Sequence, residues 1–168
     1  MHTREITSAL TTLFAELVSG ASPPGHGAFV LNSGDIGLLR SLDKLSATDA
    51  SHSANDGATI AAHAQHVAFG LSLMNRWALE GGDPYADAKW DEAWQTSVVN
   101  DSQWMAIRSN LHDEAFQWLE SLGADRDVTT LELSGMIATI AHVAYHLGAI
   151  RQIHKSTRGP TEGTFTQQ

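Results

Sequence analysis

The chain has 168 residues, of which 42% are hydrophobic and 17% charged; its formal net charge is −9, and it contains no cysteine. This length and composition predict one globular domain with a core of its own. The acidic balance, without a basic stripe, argues against nucleic acid and anionic membrane surfaces as partners. The lack of cysteine excludes a disulfide scaffold, a thiolate metal site and a cysteine nucleophile.

Two segments of the sequence bear on where in the cell the protein is located. The N-terminal stretch carries Arg4, Glu5 and Glu16 and has no sustained apolar core, which is not the pattern of a signal peptide. The best candidate for a membrane span, residues 133–150, contains two histidines, so no span is expected. We therefore expect a cytoplasmic protein.

Helical periodicity begins near the N-terminus. Residues 3–18 place apolar side chains at helical spacing and predict an amphipathic helix. A loop rich in Gly, Pro and Ser follows over residues 20–35. Asp35 or Ser33 is expected to cap a short helix through residues 36–45, and a second polar loop comes next.

Two further helices carry most of the alanine and histidine. Residues 58–80 predict a long helix capped by Thr59 or Asp56 and closed by two glycines. The last predicted helix is capped by Thr130 and continues to about Lys155.

Between them, residues 91–122 predict a helix rich in tryptophan that breaks or bends near Asn100. Its aromatic side chains are expected in the core or at a dimer contact rather than in a cofactor cage. The predicted inner face consists of Trp90, Trp94, Val98, Met105, Leu111, Phe116 and Leu119.

No segment alternates with period two for the length of a strand, so the predicted fold is all-α. Four long helices, a long crossover connection after the first and a short extra helix predict a four-helix bundle. We expect the domain to cover residues 1–155 and residues 156–168 to form a flexible tail.

The histidines point to a metal. His142 and His146 lie four residues apart in the last helix, so both imidazoles share one helix face and can reach one ion. His63 and His66 lie on the helix over residues 58–80, and one of them would complete a three-histidine site with open positions. With nine histidines in the chain, chance is the competing explanation, but imidazoles buried among apolar residues need partners.

Two segments together resemble a known family. TIAAHAQH on the second long helix and HVAYHLGAIRQI on the last resemble the DinB-like (DNA-damage-inducible) proteins, which share a left-handed four-helix bundle. That family has a His on the second long helix and His-x-x-x-His on the last, often as HxxxHxGQI. Here Gly148 matches and Ala149 replaces the usual Gln. The resemblance covers the chain by helix order.

The resemblance implies that His66, His142 and His146 ligate one divalent metal. The family's ligand comes seven residues after the Ser or Thr that opens the helix, and Thr59 then selects His66 over His63. His63, one turn away, is expected to be a satisfied or exposed helix histidine rather than a residue that orients bound water. Imidazole ligands favour nickel or zinc, with iron and manganese behind them.

The resemblance also implies a function and a partner. Members include transferases that move a low-molecular-weight thiol onto an electrophile, along with isomerases and hydrolase-like proteins. By analogy, this chain would be a homodimeric enzyme whose metal activates a thiolate. The alternatives are a non-catalytic metal-binding or stress-related interaction protein, and a plain helical bundle that binds no metal.

Other residues are weaker candidates. Gly148 suggests either a close helix contact or the approach of a ligand, because a helical glycine costs about 1 kcal/mol relative to alanine. Tyr145 is expected in the core. Arg151 suits either an anionic substrate group or, more commonly, a solvated or salt-bridged position near the helix end. Asp101 and His112 lie on the tryptophan-rich helix, where a carboxylate near the metal would be a general base.

One loop is also a candidate. Residues 22–27, SPPGHG, include His26 and would either cover the mouth of the metal site or form a plain surface connection.

Overall fold

A computed structural model describes residues 3–21 and 28–160 of the chain. The prediction of an all-α protein is confirmed for these residues, whose only β structure is an isolated bridge between Ser53 and Thr59. The long helices are α1 (Thr3–Ser19), α4 (Ile60–Glu80), α5 (Asp101–Gly123) and α6 (Thr130–Ile153). The short ones are α2 (Gly37–Leu42), α3 (Ala47–Ala50) and the 3-10 turns Glu92–Trp94 and Lys155–Thr157.

The four long helices enclose one core. Both α1 and α4 pack against α5 and α6. Each fully buried Val, Leu, Ile, Phe or Met side chain contributes roughly 1.5–3 kcal/mol to the free energy of unfolding. The core includes Phe14, Leu17, Leu71, Leu111, Trp118, Met136 and Leu147. As a result, the two helices that carry the predicted metal ligands, α4 and α6, are direct neighbours.

Side-chain caps set where these two helices begin. The Thr59 hydroxyl accepts a hydrogen bond from the Ala62 N–H at 3.2 Å, which confirms Thr59 as the cap of α4. The cap of α6 is Thr129, one residue before the predicted Thr130. Thr129 accepts from the Glu132 N–H at 3.2 Å while the Glu132 carboxylate accepts from the Thr129 N–H at 2.8 Å. This reciprocal pair is stronger than a single cap and fixes the start of α6.

The tryptophan-rich segment is not one helix. After the turn Glu92–Trp94 the chain is irregular until Asn100, which forms a capping box with Gln103 and starts α5 at Asp101. The two parts therefore do not share one helical phase, and the predicted inner face is wrong in most positions. Val98, Met105 and Phe116 are exposed, whereas the buried face of α5 consists of Trp104, Ile107, Leu111, Ala115, Trp118 and Leu122.

The connection between α1 and α4 contains two short helices instead of the predicted one. The extra helix, α3, lies in a segment predicted to be a polar loop. It begins with a capping box in which the Ser46 hydroxyl accepts from the Asp49 N–H at 3.1 Å. Of these helices, α2 packs against α1 and α5, and α3 packs against α4 and α5.

A buried ion pair attaches this connection to α6. The Asp35 carboxylate accepts from the Gly37 N–H at 2.9 Å and from the Arg151 guanidinium at 2.7 and 2.8 Å. The residue at the cap position of α2 is Ile36, which has no capping side-chain bond, so the prediction of Asp35 or Ser33 as the cap is wrong. Gly20 (φ +104°) and Gly37 (φ +74°) let the backbone approach: a Cβ on Gly20 would lie 2.4 Å from the Asp35 carbonyl oxygen. Of the two interpretations of Arg151, the salt bridge is confirmed.

Helix α6 has an apolar outer face. Leu131, Ile137 and Tyr145 are exposed there, so the expectation that Tyr145 is a core residue is wrong. By length and composition, Thr130–Ile153 is also the one helix in the described part of the chain that could cross a membrane, with 33% of its apolar stretch buried. In the structure it contacts α1 and α4.

The chain continues past α6 along the helical body. Thr157 is 1% exposed and its hydroxyl donates to the His154 carbonyl at 2.6 Å. The Asn32 amide donates to the Pro160 carbonyl at 3.4 Å. Residues 161–168 of the predicted tail lie outside the described residues.

Candidate metal centre

Four imidazoles from α4 and α6 meet in one group, called here the histidine cluster: His63, His66, His142 and His146. Each helix contributes residues from a single face, because positions three or four apart on a helix lie one above the other. His63, His66 and His146 are buried and His142 is half-buried. The three residues predicted as ligands are therefore brought together, in a place that water reaches poorly.

The nitrogens of the three predicted ligands converge. His142 Nε2 lies 3.1 Å from His66 Nε2 and 2.9 Å from His146 Nε2. Two nitrogens bound at about 2.0–2.1 Å to one metal lie about 2.9–3.4 Å apart at octahedral or tetrahedral angles. One ring nitrogen from each of the three residues lies within 4.8 Å of the others. The group could therefore hold a metal ion.

Hydrogen bonding alone does not satisfy this arrangement. A ring nitrogen carries either one hydrogen or one lone pair, so His142 Nε2 can make only one good hydrogen bond to its two nitrogen neighbours. In addition, His66 Nδ1 is buried and has no partner among the described residues. Buried polar atoms are rarely left unpaired, and an ion between the three Nε2 atoms would engage those three nitrogens, although not His66 Nδ1.

The fourth histidine, His63, contacts the predicted ligand His146 on the side of its ring that faces away from His142. His63 Nδ1 lies 2.9 Å from His146 Nδ1, on the side of the His146 ring opposite the nitrogen that faces His142. A metal-bound imidazole usually donates its second N–H to such a partner, which fixes the tautomer and orientation of the ring. His63 is thus a satisfied histidine, as expected from the sequence, and its partner is the ligand candidate itself.

All four imidazoles favour the neutral form. Burial, then the neighbouring His142 and His63, lowers the pKa of His66 to about 4. Burial, followed by the three surrounding histidines, lowers the pKa of His146 to about 3. Burial also lowers the pKa of His63 and of His142. Neutral imidazole is the form that binds metal, so the cluster presents its lone pairs at neutral pH.

Two tryptophans lie over the cluster. The Trp94 ring stacks on His66 with centroids 4.1 Å apart and an interplanar angle of 24°, and it meets His63 edge-on at 5.5 Å. Trp90 lies 5.6 Å from His66. The expectation that the tryptophans belong to the core therefore holds for Trp104 and Trp118 but is wrong for these two, which contact the candidate site.

Several other candidates do not contribute to the cluster core. Tyr145 touches His146 at 5.0 Å between ring centroids but is 69% exposed. The close contact expected at Gly148 is absent, because a Cβ built there meets no atom of the described chain within 4 Å. His112 lies on the exposed side of α5 against Phe116, 4.4 Å between ring centroids.

The remaining two candidates are also elsewhere. Asp101 is the exposed first residue of α5 and serves the acidic first turn of that helix. The loop over residues 22–27, with His26, lies outside the described residues, so its two interpretations stay open.

Besides the two tryptophans, Gly70 is a residue of the site that the sequence pattern did not single out. It lies on α4 one turn after His66, and a Cβ there would be 3.4 Å from His142 Cε1. The signal was available, since a helical glycine four residues after a histidine shares its face and opens space beside it. The glycine that matters for the site is on α4 and not, as expected, Gly148 on α6.

Comparisons of the chain with family models, with curated proteins and with solved structures give no match. The assignment of a function therefore depends on the geometry of the histidine cluster and on the motif resemblance.

Proposed function

We propose that the protein is a metal-dependent enzyme of the DinB-like class, in which His66, His142 and His146 hold one divalent ion. The observation that carries this proposal is the convergence of three Nε2 atoms on a spot where hydrogen bonds cannot satisfy all of them. Three protein ligands leave coordination positions open, which is typical of catalytic rather than structural sites.

The packing of the helices supports a four-helix bundle of that class. Each of α1 and α4 lies between α5 and α6, as in a bundle where diagonal helices are separated by the core. The predicted ligands sit on the second and last of the four long helices, which is the order of the resembled motif. The connection after α1 supplies the long crossover.

Nickel or zinc is the proposed ion, with iron or manganese as the next candidates, because imidazole suits each of these metals. When bound, a divalent ion supplies Lewis-acid stabilisation of a thiolate, the chemistry needed to transfer a low-molecular-weight thiol to an electrophile. The chain's own residues hold the geometry. His63 fixes the His146 ring, and the Trp94 indole excludes water from one face of His66.

The lack of cysteine fits this reaction, since the thiol must then come from outside the chain. A cytoplasmic homodimer without nucleic-acid or membrane partners completes the proposal. The net charge of −9 supports the exclusion of nucleic acid, and the exposed apolar face of α6 supports a contact between two copies.

Elemental analysis of untagged protein by plasma mass spectrometry tests the site. We expect about one equivalent of a single metal in the parent protein. His66→Ala and His142→Ala should lose it, and His112→Ala, an exposed histidine on α5, should retain it. Metal retained in His66→Ala would move the third ligand to His63. No metal in the parent, even after incubation with nickel or zinc, would overturn the proposal.

A second experiment tests the reaction. Metal-loaded and metal-free protein are each incubated with a low-molecular-weight thiol and an electrophile, and the remaining free thiol is titrated. Because the protein has no thiol of its own, all consumption reports the added one. Consumption that requires metal and disappears in His142→Ala supports a thiol transferase. A protein that binds metal without consuming any thiol would be a non-catalytic metal-binding protein.

A further inference from the structure

A cavity of about 350 Å³ lies directly beside the histidine cluster, with His142 in its wall. It is formed between α4, α6 and the segment that precedes the turn Glu92–Trp94. This volume is near the lower end of the range for small-molecule sites, about 300–1,000 Å³. The cavity therefore suits a compound built around a single ring.

One wall of the cavity is aromatic. Trp90 and Tyr85 lie 6.1 Å apart between ring centroids and are inclined by 31°, and Phe69 braces Trp90 edge-on at 5.2 Å. The Tyr85 hydroxyl points at the Met74 sulfur, 3.4 Å away, and so is already engaged. Trp90 and Tyr85 are nevertheless 37% and 49% exposed, which leaves ring surface free to pack against a ligand.

The opposite side gives access to the imidazole. Gly70 has no side chain at the point where a Cβ would stand 3.4 Å from His142 Cε1 and 3.6 Å from its Nδ1. Thr139 is the one hydroxyl on this side, and it donates to the Gly135 carbonyl at 2.8 Å. What Thr139 has left to offer is a lone pair, which can accept one hydrogen bond from a ligand.

The cavity walls carry no Asp, Glu, Lys or Arg among the described residues. A second cavity of about 350 Å³ on the far side of Phe69 is the reverse, since it is lined by the ion pairs Arg76–Asp87 and Lys89–Glu92. None of the clustered histidines lines that second cavity. A charged ligand would leave water for the apolar cavity without gaining a partner there, which is costly.

We propose that the apolar cavity is the substrate pocket of the histidine cluster and binds small, uncharged aromatic compounds. The ring packs against Trp90 and Tyr85, and its polar substituent reaches past Gly70 toward His142. This inference rests on the proposed function, in which it assigns the electrophile to the class of neutral single-ring aromatics.

Three probes with the same ring and different charge test the pocket: benzyl alcohol, benzoate and benzylammonium. Binding is followed by 19F NMR of protein labelled with 5-fluorotryptophan, with the five resonances assigned by single Trp→Phe variants. We expect benzyl alcohol to shift the Trp90 resonance saturably in both metal-free and zinc-loaded protein. Benzoate and benzylammonium should leave it unchanged at the same concentrations.

Two variants make the test specific. Gly70→Ala places a good helix former on α4 but narrows the path to His142. It should weaken the binding of benzyl alcohol about tenfold, which is the effect of one methylene in an apolar pocket. Lys89→Ala, on the charged cavity, should bind it like the parent. Equal binding of the charged probes, no shift at Trp90, or full affinity in Gly70→Ala would each overturn the inference.

The outcomes separate the two proposals. Protein that binds zinc but no benzyl alcohol in either form refutes the pocket and leaves the metal site standing. Protein that binds benzyl alcohol at Trp90 but no metal supports the pocket and refutes the proposed metal-dependent function.

Discussion

Two groups of largely buried polar side chains involve α6: the ion pair of Arg151 with Asp35, and the histidine cluster. The first pairs opposite charges and the second does not. Near the helix end, Arg151 meets Asp35, so opposite charges pair and the carboxylate also accepts the Gly37 N–H. Two turns earlier, the histidine cluster brings together groups of the same kind, which repel one another when protonated. Each group also keeps one buried nitrogen without a hydrogen-bond partner among the described residues, namely Arg151 Nε and His66 Nδ1.

The difference separates a structural group from a functional candidate. The ion pair is complementary within the chain and joins the crossover connection to α6 without any ligand. The histidine cluster instead brings like groups together, and its converging nitrogens could hold a cation. Titratable groups whose pKa values are shifted, and which the fold does not pair with an opposite charge, are candidates for a functional site.

Breaking the ion pair should have the largest effect on stability. In Asp35→Ala the Arg151 guanidinium, whose side chain is 18% exposed, loses its partner, which costs up to about 3–5 kcal/mol. Urea unfolding followed by circular dichroism measures the loss, and Asp125→Ala, at the exposed pair of Arg4 and Asp125, should leave the midpoint unchanged. The folded Asp35→Ala protein should still bind metal. A loss below about 1 kcal/mol would show that the pair is not structural.

Metal addition should have the next largest effect, and only at the cluster. A ligand at a hundredfold excess over its dissociation constant raises the free energy of unfolding by about 2.7 kcal/mol. Zinc or nickel should do so for the parent and for His52→Ala, whose ring is exposed and bonded to the Thr48 carbonyl. His142→Ala should not respond. Equal stabilisation of His142→Ala would place the ion elsewhere.

Removal of the His63 ring should weaken metal binding without abolishing it. His63→Ala leaves His146 Nδ1 without its partner at 2.9 Å, and loss of such a partner typically costs about 10–100-fold in metal affinity. His63→Gln restores an acceptor and should recover part of the loss. Competition titration against a chelator measures each dissociation constant. Unchanged affinity in His63→Ala would mean that the contact does not orient the ligand.

The metal-free protein should lose stability in mild acid. The folded pKa values of His66 and His146, about 4 and about 3, lie below the usual 6.5, so unfolding takes up protons as the pH falls below about 6.5. Each such histidine adds up to about 1.4 kcal/mol per pH unit to the slope of the free energy of unfolding against pH. The contribution is smaller to the extent that solvent screens the rings. Urea midpoints between pH 7 and 5 should fall less steeply for His146→Gln. Parallel slopes would contradict the prediction.

Local patterns in the sequence predicted much of this molecule. Helical spacing located the long helices, Thr59 marked the start of α4, and the spacing of His142 and His146 indicated that their rings converge. These features depend on neighbours within a few residues. The assignment of metal ligation itself stays a prediction.

Local patterns could not predict contacts between residues far apart in the sequence, nor how the helical phase changes from one segment to the next. Asp35 and Arg151 are 116 residues apart, and nothing in either segment identifies the other as its partner. The predicted break near Asn100 is confirmed by its capping box, but the sequence did not predict that Trp94, before this break, would stack on the histidine cluster instead of lying in the core. Gly70 lies four residues after His66 and shares its helix face, but only the packing of α4 on α6 shows that the space beside this glycine is next to His142.

The division of the ligands between α4 and α6 has a consequence for biosynthesis. His142 follows His66 by 76 residues, so at about 5–20 residues per second the ribosome needs roughly 4–15 s to deliver the second half of the set. During that interval the emerging chain contains only His63 and His66 of the histidine cluster. Tight capture of an ion must therefore wait until α6 has left the exit tunnel and docked. In the proposed function, metal loading thus follows the docking of α6 on α4, and a chain that stalls before α6 lacks two of the three proposed ligands.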